Sequence, residues 1–311
     1  MTDPSVPLLV THGGKFHCDE VFATVVLRLA LGLTAPGSHR LARTRDAAII
    51  ASGAIVWDVG GAYDEATNRF DHHQRGAPTR ADGTPYSAAG LVWRRYGLDA
   101  ARALLAPSGA ETMATAIAEE IDTAVVRRID ELDNGIVPEA DTLGLASLIG
   151  DFNPNWDAPG GEGGADAAFA EAVALADGFL RRRVETLRAR LAAEALIVAA
   201  HAASADPRIL ELDRALPWKD AVFGNDLPVA FAIYPAPNGN WMVDSMPPEP
   251  GSFDQRVPLP AAWAGLPEAD LAAISGVPDA VFTHLRLFVG AARTKAGAVA
   301  MARKAVEGAS V

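Results

Sequence analysis

Cysteine is almost absent from this chain: Cys18 stands alone among 311 residues, so no intrachain disulfide can form. That excludes a disulfide-stapled secreted scaffold and points to a reducing, cytoplasmic setting. Positive charge is also scarce, with 27 Lys and Arg against 39 Asp and Glu and a formal charge of -12. A chain of that sign does not coat nucleic acid by bulk electrostatics, although a local basic groove or a metal-neutralised carboxylate site is still compatible with it. Long apolar runs are missing too. None approaches the ~20 residues of a membrane span, and the Ala-rich stretch from Leu191 to Ala203 is interrupted by Glu194 and His201. The amino terminus carries Asp3 and neither Lys nor Arg before its short apolar run, unlike a secretory signal or an Arg-rich transit peptide. A soluble protein with no membrane partner is expected. The His-Glu-x-x-His signature of zinc peptidases, internal repeats and recognised nucleic-acid-binding modules are lacking as well.

What is present is ample apolar material, 50% of residues, with 21% charged, enough for a sizeable core in about two domains. Val6 to Val10 reads as a strand, Gly13-Gly14 as a loop, and Asp19 to Leu31 as a helix with Val21, Val25 and Leu29 on one side. Such units build parallel sheets with sites at the carboxyl ends of the strands. Ala47 to Trp57 reads as another strand-like segment, ending in Asp58, and Arg69-Phe70 leads into Asp71-His72-His73. Helices are expected over Tyr86 to Tyr96, capped by Ser87 or Thr84, and within Glu111 to Asp133 before the Asn134-Gly135 stop. Pro159 to Gly164 is the clearest flexible segment. From Ala165 to about Ala203 an apolar stripe of Phe169, Val173, Leu180, Val184, Leu187 and Leu191 marks a helix long enough to join two lobes. Beyond Pro207 come short strands at 209–212, 228–234 and 240–246, the last two joined at Asn238-Gly239, then a helix at 268–275, a strand at 280–284 and a terminal helix from Thr294. The expected fold is α/β, with a mainly parallel sheet in a first domain (1–164), a linking helix (165–203) and a smaller mixed α/β domain (204–311).

The chemistry concentrates after the strands. His12-Gly-Gly-Lys-Phe-His17-Cys-Asp19-Glu20 puts two imidazoles and a carboxylate within eight residues at a strand-to-helix junction, a donor set that suits Mn, Zn or Fe better than Ca or Mg alone. Capping of the following helix is the competing role for His17 or Asp19. Asp58, directly after Ala54-Ile55-Val56-Trp57, is poorly placed unless it is paired or ligating, the alternative being a turn aspartate before Gly60-Gly61. Adjacent residues of an extended strand face opposite ways, so His72 and His73 divide their roles, one ligating and one facing substrate. Asp130 and Asp133 share a helix face. Together these groups are numerous enough for two ions, which about 3.5–4 Å apart can stabilise the attacking and leaving oxygens of a phosphoryl displacement. Cys18 reads as packing, and Glu20 as a residue orienting His12 or His17.

HGGKFHCDE, VWDVGG, FDHHQRG and IDELDNGI, in this order, resemble the melanocyte-proliferating-gene family, also called the metal-dependent protein hydrolase family, of the DHH phosphoesterase superfamily. The resemblance continues through FNPNW (152–156), SFDQRVPLPAAWAGL (252–266) and SGVPDAVFTH (275–284), and so covers nearly the whole chain. It implies a DHH-type catalytic lobe, a linking helix and a carboxyl-terminal lobe that binds substrate, with two divalent ions, manganese foremost and zinc, iron or magnesium as alternatives. By motif, His12, His17 and Asp19 would be the first ligands, Asp58 would bridge the ions through which a hydroxide attacks, His72 would ligate the second ion, and Asp133 or Asp130 would complete the set. His73 would contact the phosphate and assist proton transfer, and Arg256, His284 and Arg293 would lie on the substrate side, where guanidinium groups suit phosphate oxygens. The superfamily's His-x3-Asp-x-Asp becomes His12-x4-His17-x-Asp19, with a histidine where a carboxylate is usual, a change that favours softer ions.

The expectation is therefore a metal-dependent phosphodiesterase, a 3'-to-5' exonuclease on RNA or short oligonucleotides. The alternatives are a small-molecule nucleotide phosphoesterase and a non-enzymatic metal- or nucleotide-binding regulatory module. A homo-oligomer is compatible with the sequence. The Arg181-Arg182-Arg183 run with Arg188 and Arg190 reads as a solvated helix face paired with Glu185 and Glu194 rather than a nucleic-acid track. Trp156, Trp218, Trp241 and Trp263 read as core or lobe-interface residues rather than base-stacking platforms.

Overall fold

The computed structural model describes residues 6–138, 141–157 and 161–309, with only the backbone of 161–163. The chain divides into two compact units, Met1–Arg188 and Ala189–Val311. Each carries its own five-stranded sheet, and the architecture is mixed α/β.

In the first unit, β1 (Leu8–Thr11) leads through the loop at Gly13-Gly14 to helix α1 (Cys18–Ala30). β2 (Arg40–Arg43) is followed by a short helix α2 (Ala47–Ser52) and then β3 (Ile55–Trp57), so the strand expected from Ala47 onward begins only at Ile55. The reason is local: Asp46 accepts the backbone N–H groups of Ala48 and Ile49 and caps a helical turn before the strand can start. A two-residue edge strand β4 (Tyr63–Asp64) precedes β5 (Arg69–Phe70). The sheet order is β2-β1-β3-β5-β4, parallel except at β4.

Register is what makes this sheet a platform for chemistry. Val10 pairs with Val56, and Trp57 pairs with Phe70, so the carboxyl ends of β1, β3 and β5 stop at one level. The first residues beyond those ends are His12, Asp58 and Asp71. Helix α3 (Ala88–Leu105) is capped by Ser87, runs nine residues past its expected end, and packs on α1, with the Phe22 and Trp93 rings 6.1 Å apart. Leu9, Phe22, Trp57, Phe70 and Leu91 are fully buried, an apolar interior that fixes the sheet against these helices. Helix α4 (Ala114–Ile121), a π-helical segment (Asp122–Val126) and α5 (Arg127–Asp133) run on continuously to Asn134 and Gly135, the latter at φ 66°. Such π-segments commonly sit beside functional positions.

A short helix α6 (Leu145–Gly150) precedes the long helix α7 (Gly161–Ala202). Of the glycine-rich stretch expected to be flexible, residues 159 and 160 lie outside the described residues, whereas Gly161 to Gly164 already belong to α7. On α7 the predicted stripe is buried from Phe169 to Leu187, and Leu191 is half-buried. Arg181 pairs with Asp177, Arg188 with Glu185 and Arg190 with Asp220, while Glu194 accepts instead from Asn225.

In the second unit, β6 (Ile209–Glu211), helix α8 (Trp218–Gly224), β7 (Phe231–Pro235) and β8 (Trp241–Ser245) are followed by α9 (Glu268–Ser275), β9 (Ala280–Thr283), β10 (Val289–Ala292) and α10 (Lys295–Gly308). The sheet order is β6-β7-β8-β10-β9, with only the first pair parallel. Asn238-Gly239 forms the β7–β8 turn, where Gly239 takes φ 86°. Phe231, Ile233, Val243, Leu271 and Met301 build this unit's core. Trp218 and Trp263 are buried and Trp241 half-buried, as expected, but Trp156 is 97% exposed and so is not a core residue. Among the described residues no helix is long and apolar enough to cross a membrane.

Candidate metal centre

Three strand ends and one helix end converge here. Asp58 follows β3 in the left-handed region, φ 57°, a conformation that costs a non-glycine residue about 1–3 kcal/mol and is tolerated best by Asn and Asp. Its carboxylate is used on both sides. Oδ2 lies 3.2 Å from His12 Nε2, and Oδ1 lies 3.3 Å from His72 Nε2 without an aligned hydrogen bond. His72 Nε2 is also 3.3 Å from Asp133 Oδ2, at the end of α5. Charge-assisted N–H···O bonds run about 2.7–2.9 Å. Donor atoms sharing one ion at about 2.0–2.2 Å lie roughly 3.0–3.4 Å apart in octahedral or tetrahedral geometry. The three observed separations fit the second spacing.

Asp19 supplies a second test of fit. It is fully buried in the first turn of α1, yet neither carboxylate oxygen has a hydrogen-bond partner among the described residues. Buried carboxylates with no donor are rare because desolvation is so costly, and a cation is the group that answers both lone oxygens. His17, Asp19 and Asp133 bring donor atoms within 4.8 Å of one another, as do Asp58, His72 and His73, and His12, His17 and Glu20. These donors fit divalent ions of the Mn, Fe or Zn type, in which imidazole and carboxylate combine.

The electrostatics of the metal-free cluster agree. Burial pushes Asp19 well above the usual carboxylate range, helped by the charges of Asp58, Glu20 and Asp133. Burial also raises Asp133, with His72 opposing and Asp58 adding to it. For Asp58 the burial effect is overcome by the imidazoles of His12 and His72, which hold it at about 2. Burial disfavours protonated His12, but Asp58 and Glu20 outweigh it and lift this imidazole to about 10. His72 is raised by Asp58 and Asp133 against the same burial penalty.

The supporting residues explain why the loop holds its shape. Glu20 is fully buried, accepts the His17 N–H on both oxygens at 2.9 and 3.0 Å, and lies 2.9 Å from His12 Nε2. It thus ties the first two histidines of the motif to the start of α1. Arg43 donates to Gly14 O and to Asp166 and lies over the Phe16 and Phe169 rings, holding the loop in place. Asp71, itself buried, accepts from Gly61 N–H at 2.6 Å and sits 2.8 Å from His73 Nδ1, while the His73 side chain is 63% exposed. A carboxylate there selects the Nδ1–H tautomer and leaves Nε2 free. Cys18 is buried and belongs to none of the metal-compatible groups of the described residues.

Asp130 and Asp133, one helical turn apart, separate cleanly. Asp130 accepts from Arg80 Nε at 2.8 Å and from Ser87 N–H and Oγ at 2.9 and 2.7 Å, and Arg80 also forks onto Asp122. Asp133 faces His72, His17 and Asp19. In the second unit Arg256 donates to Leu227 O and Val229 O, His284 Nδ1 accepts from Arg286 N–H, and Arg293 pairs with Glu268.

Two cations had no place in the sequence reading. Lys15 and Arg45 line the cavity of about 620 Å³ that holds His12, His17, Asp58, His72, His73, Asp133 and Asn134, and neither has an ion-pair partner among the described residues. The only sequence signal was the position of Lys15 between His12 and His17; Arg45 follows β2, a strand too polar for the pattern to reveal.

Residues 8–306 match the family model MYG1_exonuc, described as Uncharacterised protein family (UPF0160). The chain is 36% identical over 324 residues to the MYG1 exonuclease of Homo sapiens, covering 96% of this chain and 85% of that protein. It is 35% identical over 328 residues to a MYG1 protein of Caenorhabditis elegans, covering 96% and 95%. A MYG1 protein of Saccharomyces cerevisiae shares 28% identity over 322 residues, covering 95% and 94%.

Proposed function

The chain belongs to the MYG1 family, and from that premise we propose that it is a divalent-metal-dependent phosphodiesterase acting as a 3'-to-5' exonuclease on RNA or short oligonucleotides. The observation that carries this reading is the Asp58 carboxylate, whose two oxygens face different imidazoles at coordination spacing beside the unpartnered carboxylate of Asp19. The name exonuclease borne by the human relative supports a nuclease-type activity.

In this reading His12, His17, Asp19, Asp58, His72 and Asp133 would hold two divalent ions, manganese foremost. Bound there, divalent ions would supply Lewis-acid stabilisation of the phosphoryl oxygens and would activate water for attack at neutral pH. The chain's own residues do the rest. Asp71 holds His73 by Nδ1, so that Nε2 takes up or delivers a proton at a phosphate oxygen. Lys15 and Arg45 set positive charge at the rim of an otherwise acidic cavity and draw the diester in. Glu20, by accepting the His17 backbone N–H, keeps the His12–His17 loop anchored to the start of α1.

Metal-stripped protein incubated with end-labelled RNA and DNA oligomers, with Mn2+, Mg2+ and Zn2+ added back separately, tests the proposal. Mononucleotide release from the 3' end of RNA on metal addition is expected. Cleavage of nucleotides but not of oligomers marks the small-molecule phosphoesterase instead, and tight metal binding without hydrolysis of either refutes the enzyme reading.

A further inference from the structure

Trp156 is the anomaly of this surface. It is 97% exposed, whereas Trp57, Trp93, Trp218 and Trp263 are all 5% exposed or less. An indole left almost wholly in water forfeits the burial that normally places tryptophan in a core, unless something flat covers it. Trp156 borders a cavity of about 560 Å³, lined also by Gly14, Lys15, Asn153, Asn155 and Asp151, a size in the range of about 300–1,000 Å³ usual for small-molecule sites.

This trough is not independent of the metal centre. Lys15 lines both, as well as a third cavity of about 540 Å³ that includes His17, Asp19 and Asp133. The turn carrying Trp156 is bolted to the metal loop: Asn153 Oδ1 accepts the Phe16 N–H at 2.9 Å, and Asn153 Nδ2 donates to Phe16 O at 2.8 Å. Phe16 lies between Lys15 and His17, so the indole and the first ligands are held by one piece of backbone.

We propose that this trough is a second nucleotide subsite, in which Trp156 stacks an unpaired base of the substrate and Lys15 holds the phosphate between that base and the metal centre. Stacking reads the face every base possesses, so the subsite accepts any base, but a base paired in a duplex cannot present that face. The proposal rests on the phosphodiesterase reading and narrows its substrate to single strands of two or more nucleotides.

The full-length protein with Mn2+ is assayed on a single-stranded pentanucleotide and on bis(p-nitrophenyl) phosphate, a diester without bases. Because base–aromatic stacking is worth about 1–3 kcal/mol, or roughly 5- to 150-fold, Trp156→Ala lowers the ratio of kcat/KM on pentanucleotide to that on the base-free diester by about tenfold or more, through KM. Trp156→Phe restores most of it. In parallel, fluorescence anisotropy with a phosphorothioate pentanucleotide shows Trp156→Ala binding weakened by a similar factor, and Lys15→Ala lowers the slope of log affinity against log salt by about 0.7. A ratio unchanged within twofold in Trp156→Ala overturns the subsite while leaving the hydrolase intact. Trp156-dependent binding by a wild-type protein that hydrolyses neither substrate upholds the subsite and removes the hydrolase. A dimer that Trp156→Ala converts to monomer assigns the indole to an interface between copies and also overturns the subsite.

Discussion

Metal uptake at neutral pH should expel a proton from His12. In the metal-free protein Asp58 and Glu20 lift this imidazole to about 10 despite its burial, so at pH 7 nearly every molecule carries the proton. A ligating imidazole must be neutral, and an ion that takes His12 therefore pays for removing that proton, about 3 pK units or roughly 4 kcal/mol at pH 7. Apparent affinity should rise about tenfold for each pH unit between 7 and 9. Titration calorimetry of Mn2+ into metal-stripped protein, repeated in buffers of different ionisation enthalpy, counts the protons: at least one per protein is expected, falling by one in His12→Asn. Folding linkage has a matching sign. A histidine whose folded pKa is raised contributes stability that is complete below about 6.5 and is lost as pH rises towards 10, so the metal-free Tm should drop across that window more in wild type than in His12→Asn. Metal affinity independent of pH between 6.5 and 8.5, with no proton released, would refute the uptake of metal onto a protonated His12.

Two further substitutions separate roles that lie close together. Asp133→Asn should lower the bound metal measured by elemental analysis with little effect on folding, whereas Asp130→Ala should keep the metal stoichiometry and cost about 1–3 kcal/mol of stability, because Arg80 stays paired with Asp122 but the buried Ser87 donors lose their acceptor; the reverse pattern would exchange the two assignments. Asp71→Asn should leave metal content and KM in place while lowering kcat by about 10- to 100-fold, since His73 loses the acceptor that selects its tautomer; an unchanged pH–rate profile would exclude His73 from proton transfer.

The parallel-sheet grammar of the first unit was legible because strand, glycine loop and helix follow one another in the residue pattern, and the polar residues cluster just past the strands. His12, Asp58 and His72 could be picked out for that reason: an acid or imidazole directly after a buried apolar run has few other uses. The helix at Ala47–Ser52 was not legible, since its apolar residues match a strand and only the Asp46 cap, worth about 1 kcal/mol, decides against one. Nor was β2, whose Arg40 and Arg43 hide a strand at the sheet edge.

Residue chemistry and spacing alone therefore determined that this chain folds as α/β units, that it carries imidazole and carboxylate donors after its strands, and which family it resembles. Tertiary structure alone decided which of two aspartates one turn apart meets His72 and which meets Arg80, because that depends on where the Arg80 loop lands on α5, a contact between residues 50 positions apart. It also decided that Trp156 stands in water beside Lys15. A hydrophobic residue type predicts burial only on average, and whether a given one is covered depends on what the rest of the chain packs against it.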